Sequence, residues 1–198
     1  MMLKPVLVTP PAADKPLVSL ADAKKHLRVD HVDDDGYIEG VIAAATAWLD
    51  GYSGVLGRAL IDQTWRLNMD CWPACRIRLP LAPVSAITSI KYYDGADAQQ
   101  TLSATNYSLV EDALSPAAQW AFNASLPALH ERPDAIEVLF VAGYGATASD
   151  VPRAIRHAAL MLIAHLYENR ETVLVGTNAQ TLPFAVDALI APFRRVGL

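Results

Sequence analysis

The sequence predicts an α+β fold in which a helical bundle, made of N- and C-terminal helices, carries an inserted small antiparallel β-sheet or barrel. Apolar residues recur at helical spacing before residue 57 and after residue 150. Between these regions they fall into short alternating runs that are bounded by proline and glycine. We therefore expect residues 1–57 and 150–198 to form one helical domain, interrupted by a β insertion at residues 58–149.

The composition excludes several classes of protein. Hydrophobic residues make up 53% of the 198 residues and charged residues 19%, which excludes intrinsic disorder. The net charge of -5 argues against a protein that binds nucleic-acid phosphates over a broad surface. The first 15 residues lack the apolar run of a secretory signal, and the longest apolar run, at 158–167, is about half a membrane span. We expect a soluble protein that is made in the cytoplasm, with no membrane association.

The first region should contain two helices. Ser19 stands before the run 20–29 as an N-cap, with Asp22 at the N3 position of a capping box. A second helix is expected after the acidic run at 33–35, and Gly51 marks its end. Its apolar residues keep to one helical face: Ile38, Val41, Ile42, Ala45, Trp48, Leu49 and Tyr52.

The middle region predicts five or six short strands and a hairpin. The alternating runs lie at 60–69, 77–79, 87–92, 107–110, 119–122 and 136–141. Asp94 and Gly95 form the dipeptide typical of a hairpin turn. Prolines at 116, 127 and 133 confine the intervening pieces to loops, so the region should form a small antiparallel sheet or barrel.

The last region is expected to be helical again. Asp150 should cap a helix with Pro152 in its first turn. The buried stripe of this helix is Ile155, Ala159, Leu162, Ile163 and Leu166. A loop at 172–181 precedes a final short helix at 183–195. Arg194 and Arg195 near its end are read either as a solvated helix end favoured by the dipole or as a partner contact.

The acidic run at 33–35 partly matches a calcium-loop template. His31, Asp33, Asp35 and Gly36 fall on positions 1, 3, 5 and 6 of the loop. Position 1 should be Asp, however, and position 12 holds Ile42 where a bidentate Glu belongs. The run is better interpreted as an N-terminal helix cap that complements the macrodipole.

The cysteines and histidines do not form a metal pattern. Cys71 and Cys75 have no second Cys or His pair at zinc spacing, so we interpret them as ordinary strand-edge or buried cysteines. His157 and His165 would lie about 12 Å apart along a helix, too far to share a metal. His165 and Glu168 could pair on a helix surface, which is no catalytic signature.

No catalytic motif emerges. The chain has no G-x-S-x-G nucleophile elbow. The segment Gly143-Tyr144-Gly145 lacks the third glycine and the Lys-Ser/Thr of a phosphate loop, so its glycines should serve a tight turn out of the sheet. The aromatics of the β region could stack bases, but without a basic groove they favour core or interface packing: Trp65, Trp72, Trp120, Tyr92 and Tyr93. We therefore predict no enzyme, no catalytic residue, no cofactor and no metal site.

A series of short motifs does point to a family. The first half of the chain carries L-x-x-A-K-x-H-L-R-V-D from Leu20, D-D-x-x-I from Asp34, G-R-A-L-I-x-Q-T-W from Gly57, L-P-x-x-P-V from Leu79 and I-x-x-I-x-Y-Y-D from Ile87. The second half carries A-G-Y-G from Ala142, V-P-x-x-I from Val151 and L-Y-E-N-R-E from Leu166. In this order, over residues 17–195, the motifs resemble those of tailed-phage head–tail connector proteins, the adaptors also found in gene transfer agents and prophages.

The resemblance implies a structural virion protein at the head–tail neck. Such connectors assemble as a homo-oligomeric ring, typically of about twelve subunits, under the portal. The ring extends the DNA channel and docks the next neck or tail protein, so DNA passes through without sequence-specific binding. The acidic balance of the chain suits such a conduit. The loop at 172–181 and the tail to Leu198 are candidate segments that become ordered on docking.

Two other classes stay open from the residues alone. A DNA-packaging or DNA-binding factor would show salt-dependent DNA affinity, which the acidic balance disfavours. A small hydrolase using Asp and His residues of the β region would need paired groups that converge in a pocket.

Overall fold

The computed structural model describes residues 4–111, 116–170 and 184–195. In these residues the helices are α1 (Leu20–Leu27), α2 (Asp35–Leu49), α3 (Arg153–Glu168) and α4 (Phe184–Ile190). The strands are β1 (Val6–Thr9), β2 (Gln63–Met69), β3 (Arg76–Arg78), β4 (Val84–Tyr93), β5 (Gln99–Thr101), β6 (Tyr107–Val110), β7 (Ala117–Trp120) and β8 (Ile136–Ala142). The predicted loop at 172–181 lies outside the described residues.

The strands form two antiparallel sheets. A five-stranded sheet has the order β1-β2-β8-β4-β5, and a three-stranded sheet has the order β3-β7-β6. The central strand β8 pairs with β2 on one side, where Trp65 faces Phe140, and with β4 on the other, where Ile90 faces Val138. The predicted mixture of helices with antiparallel strands is therefore confirmed.

Strand β1 was not predicted, because the first 57 residues were expected to be helical. Val6 pairs with Arg66 and Leu7 with Trp65, which places β1 at the edge of the five-stranded sheet. Pro5 before the strand and Pro10 after it limit its length. Four residues are too few to show a period, and their pairing partner lies more than fifty residues away in the sequence.

The helices share one core. The predicted stripe of α2 is buried at Ile38, Val41, Ile42, Ala45 and Leu49. These residues pack in one cluster with the buried positions of α3, namely Ile155, Ala158, Ala159, Leu162 and Ile163. Val186 and Ile190 of α4 belong to the same cluster. Trp48 is only partly buried and Tyr52 is exposed, so the buried stripe of α2 is narrower than the sequence predicted. The same holds for α3, where Leu166 is only partly buried.

The start of α1 matches its predicted cap. The backbone N–H of Asp22 donates to Ser19 Oγ at 3.1 Å, which satisfies a free donor of the first turn. The Ser19 hydroxyl in turn donates to the Asp22 carboxylate at 2.7 Å.

The two sheets share a second core. It contains Leu67, Ile90 and Phe140 from the larger sheet and Ile77 and Ala118 from the smaller one. Leu60 and Ile61 belong instead to the helical cluster. This explains why β2 begins at Gln63 rather than at residue 60.

The hairpin at Asp94 is confirmed. Tyr93 pairs with Gln99, so five residues connect β4 to β5. The Asp94 carboxylate accepts from the backbone N–H of Ala96 and Ala98 at 3.0 and 3.1 Å, as Asx turns do. Asp97, not Gly95, adopts the positive φ of 60°.

The predicted role of Asp150 was wrong. Pro152 occupies the N-cap position of α3, and no side chain caps this helix end. The Asp150 carboxylate accepts instead from the backbone N–H and the hydroxyl of Thr147, at 2.9 and 2.8 Å. Asp150 therefore closes the 3-10 turn at Ala148–Asp150. It does not cap α3, because Val151 and Pro152 lie between it and the first residue of that helix.

Candidate functional site

The acidic run at 33–35 links α1 to the start of α2. Asp35 accepts from Lys24 Nζ of α1 at 2.5 Å, and Asp33 lies 3.8 Å from His31. Asp34 holds the N-cap position, as predicted, but its side chain makes no capping hydrogen bond. Among the described residues, no group of three or more acidic, His or Cys side chains could hold a metal ion.

Asp34 joins the start of α2 to the end of α3. Its Oδ2 accepts from the Tyr167 hydroxyl at 2.5 Å and from Arg170 Nη2 at 3.3 Å. The Tyr167 hydrogen bond, with the Arg170 charge adding to it, holds the pKa of Asp34 below its ordinary value. The Arg170 guanidinium also lies over the Tyr37 ring at 4.3 Å. The cluster stabilises the contact between the two helices.

The cysteines and histidines occupy separate sites. Cys71 and Cys75 are both exposed free thiols, so the alternative of burial is excluded. His157 packs edge-on against His26, with ring centroids 6.2 Å apart. Asn169, the C-cap residue that follows α3, places its Nδ2 3.3 Å from His165 Nδ1. These contacts are structural, and none brings two of the candidate groups together around a pocket.

The Gly143-Tyr144-Gly145 segment forms the predicted tight turn out of β8. Gly143 has φ 154°, and a Cβ there would lie 2.5 Å from the backbone N of Asp62. Gly145 O accepts from that same N–H at 2.9 Å, and Tyr144 N–H donates to Leu60 O at 3.0 Å. The glycines therefore allow the close approach of the segment before β2.

The aromatic residues of the β region pack inside it. The rings of Trp72 and Trp120 meet edge-on at 5.6 Å, and Tyr92 lies 5.9 Å from Trp72. The indole N–H groups of Trp72 and Trp120 donate to Pro127 O and Pro73 O, both at 2.9 Å. Trp65 is buried, and Arg132 covers the Tyr93 ring at 3.7 Å. The packing interpretation is confirmed for these side chains.

Arg194 and Arg195 have different environments: Arg194 is partly exposed at the end of a 3-10 turn, whereas the side chain of Arg195 is bound by backbone carbonyl groups, and a partner contact stays a prediction. Arg194 pairs with Asp187 of α4 at 2.7 Å. The Arg195 guanidinium donates to Pro80 O and Leu79 O, and its backbone N–H donates to Leu56 O at 2.9 Å. Burial, with the neighbouring Arg58 charge adding to it, lowers the pKa of Arg195. Arg195 thus fastens the C-terminal segment to the loops around the sheets, a long-range contact that sequence spacing does not reveal.

Several large apolar side chains are exposed on the surface. Strand β1 exposes Val6, Leu7 and Val8 at the edge of the larger sheet. Phe122 is wholly exposed on the turn after β7. The sequence placed Phe122 inside a strand at 119–122, but β7 ends at Trp120. The only feature of the sequence that could have indicated this earlier end of β7 is the polar Asn123-Ala124-Ser125 segment that follows Phe122.

An open apolar groove runs along α2. We call it the α2 groove; it has a volume of about 700 Å³ and lies between the segment 11–20 and α2, with Leu60 and Ile61 also in its lining. The sequence gives no signal for it, because it arises only when the N-terminal segment packs beside the helix.

No helix in the described parts of the chain is long and apolar enough to cross a membrane. The exposed surfaces described above contain apolar edges and a groove rather than converging acids, bases or ligands.

Comparison with known proteins gives a consistent result. The chain is similar to one in the neck of an empty GTA particle computed with C6 symmetry, with 28% identity, a TM-score of 0.79, and 99% of this chain and 97% of that chain covered. It is similar to one in the virion of a native gene transfer agent particle, with 27% identity, a TM-score of 0.75 and the same coverage. A third, in the neck of a native GTA particle computed with C12 symmetry, has 27% identity and a TM-score of 0.70, with 98% and 97% covered. No curated protein sequence matches.

The family assignment rests on most of the chain. The model of phage gp6-like head-tail connector proteins matches residues 18–194. This interval includes all four helices described above and every strand except β1. The chain therefore belongs to the phage gp6-like head–tail connector family, and its role is that of a structural connector.

Proposed function

We propose that the chain forms a closed ring in the neck of a phage or gene-transfer-agent virion. The observation that carries this is the similarity to a GTA neck chain over 99% of this chain and 97% of that one. Such coverage includes the β region as well as the helices, so the whole chain has the architecture of a neck subunit. The sixfold and twelvefold symmetries of the similar necks support a cyclic arrangement of about twelve copies.

In this ring each subunit consists of a helical domain, residues 1–57 and 150–198, and a β insertion at 58–149. Two separate core clusters support the division, one shared by the helices and one shared by the sheets. Strand β1 crosses this division, because the strand belongs to the N-terminal region but pairs with β2 of the insertion. In the proposed subunit, α1 and α2 from the N-terminal region pack in one bundle with α3 and α4 from the C-terminal region. The same bundle therefore holds both ends of the insertion.

The partners of the ring are the portal on the head side and the next neck or tail protein on the other side. DNA passes through the channel without sequence-specific binding. The net charge of -5 supports this, since a strongly cationic lumen would retain the phosphates of the passing genome. The comparisons point to a non-enzymatic structural protein, and they do not favour a DNA-binding factor or a hydrolase.

The proposed function is tested by native mass spectrometry of the purified chain, alone and mixed with the portal from the same genome. We expect a ring of about twelve copies, or incorporation of about twelve copies on the portal. The matched control is the same chain mixed with a portal from an unrelated phage, which should capture none. A chain that stays monomeric and ignores its own portal would overturn the proposal. DNA affinity that falls steeply with salt would favour the DNA-binding alternative.

A further inference from the structure

Phe122 is presented to solvent on a braced turn. Its relative exposure is 102%, the highest of the large hydrophobic side chains in the described residues. The turn is closed by Ala124 N–H donating to Ala121 O at 3.0 Å. Asn106 holds both sides of it, because its backbone carbonyl accepts from Ala121 N–H at 2.9 Å and its Oδ1 accepts from Ser125 N–H at 3.2 Å. The backbone that carries Phe122 is therefore held in place, and its side chain projects into solvent away from the sheet core.

An exposed aromatic side chain on a preorganised turn is suited to the centre of a protein interface. Aromatic anchors bind in apolar pockets, and little ordering is lost when the segment that carries them is already fixed. Single exposed apolar residues are common, so exposure alone identifies no partner. The partner must be sought in a complementary concave surface.

The α2 groove is such a surface on the same chain. Its volume of about 700 Å³ falls within the range of roughly 300–1,000 Å³ typical of binding pockets. Leu17, Ile42 and Leu60 provide apolar walls, and the small residues Ala43 and Ala47 leave room for a bulky ring. Ala43 and Ala47 are exposed on α2, so no segment among the described residues covers them.

Phe122 and the α2 groove are the two different surfaces that a head-to-tail contact between copies requires. A ring is built from heterologous contacts, in which one surface of each subunit binds a different surface of the next. The α2 groove lies on the helical core, whereas the turn at 121–124 continues from β7 of the sheet core. Each subunit therefore carries a protruding apolar group and an apolar cavity on different cores.

We propose that Phe122 of one copy binds in the α2 groove of the next copy in the ring. This inference rests on the proposed ring and names the contact that closes it. It assigns the occupant of the groove to a second copy of this chain, not to a small molecule or to another neck protein.

The contact is tested by cross-linking in a background in which the exposed native thiols are removed, C71S with C75S. The single variants Asn123→Cys, which lies on the same turn and keeps Phe122, and Ala47→Cys are mixed in equal amounts, assembled alone or on the portal, and treated with a short bismaleimide. We expect covalent dimers in the mixture, and neither variant alone should give them. The matched control replaces Ala47→Cys by Val32→Cys, which is 71% exposed and outside the groove.

Three outcomes would overturn the contact. Cross-links from Asn123→Cys alone would indicate a symmetric contact between equivalent turns. Equal yields with Ala47→Cys and Val32→Cys would indicate random collisions. No cross-link in a ring that forms normally would give the groove another occupant. Failure of the unsubstituted chain to form a ring, alone and on the portal, would instead overturn the proposed function.

A second measurement does not depend on cross-linking geometry. Phe122→Ser removes the anchor at an exposed site, so folding should be preserved, and we expect the ring population in native mass spectra to fall at least tenfold at equal concentration. Val32→Ser removes an exposed apolar side chain elsewhere and should leave the rings unchanged. Unchanged rings with Phe122→Ser would contradict the proposal.

Discussion

The Asp50 carboxylate accepts two hydrogen bonds from the Gln63 side-chain amide, at 2.9 and 3.1 Å. Asp50 directly follows α2, and Gln63 is the first residue of β2. Asp50 Oδ1 also accepts from Leu60 N–H at 2.7 Å. The chain passes here from the helical core to the sheet core, so this pair, formed by the partly exposed Asp50 and the buried Gln63, fixes the joint between them. Burial raises the pKa of Asp50 in spite of these hydrogen bonds.

We expect Asp50→Ala to destabilise the protein by about 1–3 kcal/mol, because Gln63 is buried and its amide would lose its acceptor. Urea unfolding of the single variants and of Asp50→Ala with Gln63→Ala measures the coupling between the two side chains. Asp33→Ala is the control, since this side chain is 90% exposed and should change stability by less than about 0.5 kcal/mol. Strictly additive effects at Asp50 and Gln63 would contradict the pairing.

Substitution by alanine should have opposite effects on the free energy of unfolding at Gly143 and at Gly40. At Gly143 a Cβ would meet the Asp62 backbone at 2.5 Å in a conformation that L-residues rarely adopt, so Gly143→Ala should destabilise by at least about 1–3 kcal/mol. Gly40 lies inside α2 with nothing within 4 Å of a new Cβ. Gly40→Ala should therefore stabilise the monomer by about 0.5–1 kcal/mol. Thermal unfolding below the concentration of ring assembly compares them, and changes of the same sign would contradict this reading.

Asp62 and Asp150 should affect stability oppositely as the pH changes. Burial, with the Asp150 charge adding to it, raises the pKa of Asp62, and its Oδ1 is buried without a hydrogen-bond partner. The ionised form of Asp62 therefore destabilises the fold. This destabilisation is fully present above the folded-state pKa, and it disappears as the pH falls through that pKa towards the ordinary value of 3.8. Asp62→Asn should be more stable than the parent at pH 7, by less than about 1 kcal/mol, and should lose this advantage in acid.

Asp150 provides the matched comparison. Hydrogen bonds from Thr147 lower the pKa of Asp150, so its ionised form stabilises the fold above the ordinary value of 3.8, and this contribution is lost as the pH falls through the lowered pKa. Asp150→Asn should accordingly be less stable than the parent at pH 7, with the difference shrinking in acid. Urea unfolding at a series of pH values checks both variants. Parallel pH profiles for the two would refute the assignment of Asp62 as the strained carboxyl.

The sequence predicted those parts of the fold whose signal is local. The α2 and α3 stripes, the Ser19 cap and the Asp94 hairpin follow from periodicity and short-range hydrogen bonds. Strand β1 and the short polar strand β5 were missed because their identity comes from pairing with distant segments. The candidate contact surfaces were also missed. The exposure of Phe122 depends on where β7 ends, and the α2 groove depends on how the N-terminal segment packs.

Arg195 should matter more than its neighbour Arg194, although both are arginines at the same chain end. Arg195 donates to the carbonyl groups of Leu79 and Pro80 in a partly buried site, so Arg195→Ala should cost about 1.5–3 kcal/mol.

Arg194 provides the matched control. It pairs with Asp187 in a contact whose side chains are 39% and 49% exposed, so Arg194→Ala should cost less than about 1 kcal/mol. Hydrogen exchange separates the effects, because loss of the Arg195 contacts should accelerate exchange in α4, whose Val186 and Ile190 are buried against the helical core. Exchange in α4 that is accelerated as much by Arg194→Ala would mean that the Asp187 ion pair, rather than the Arg195 contacts, fastens this helix.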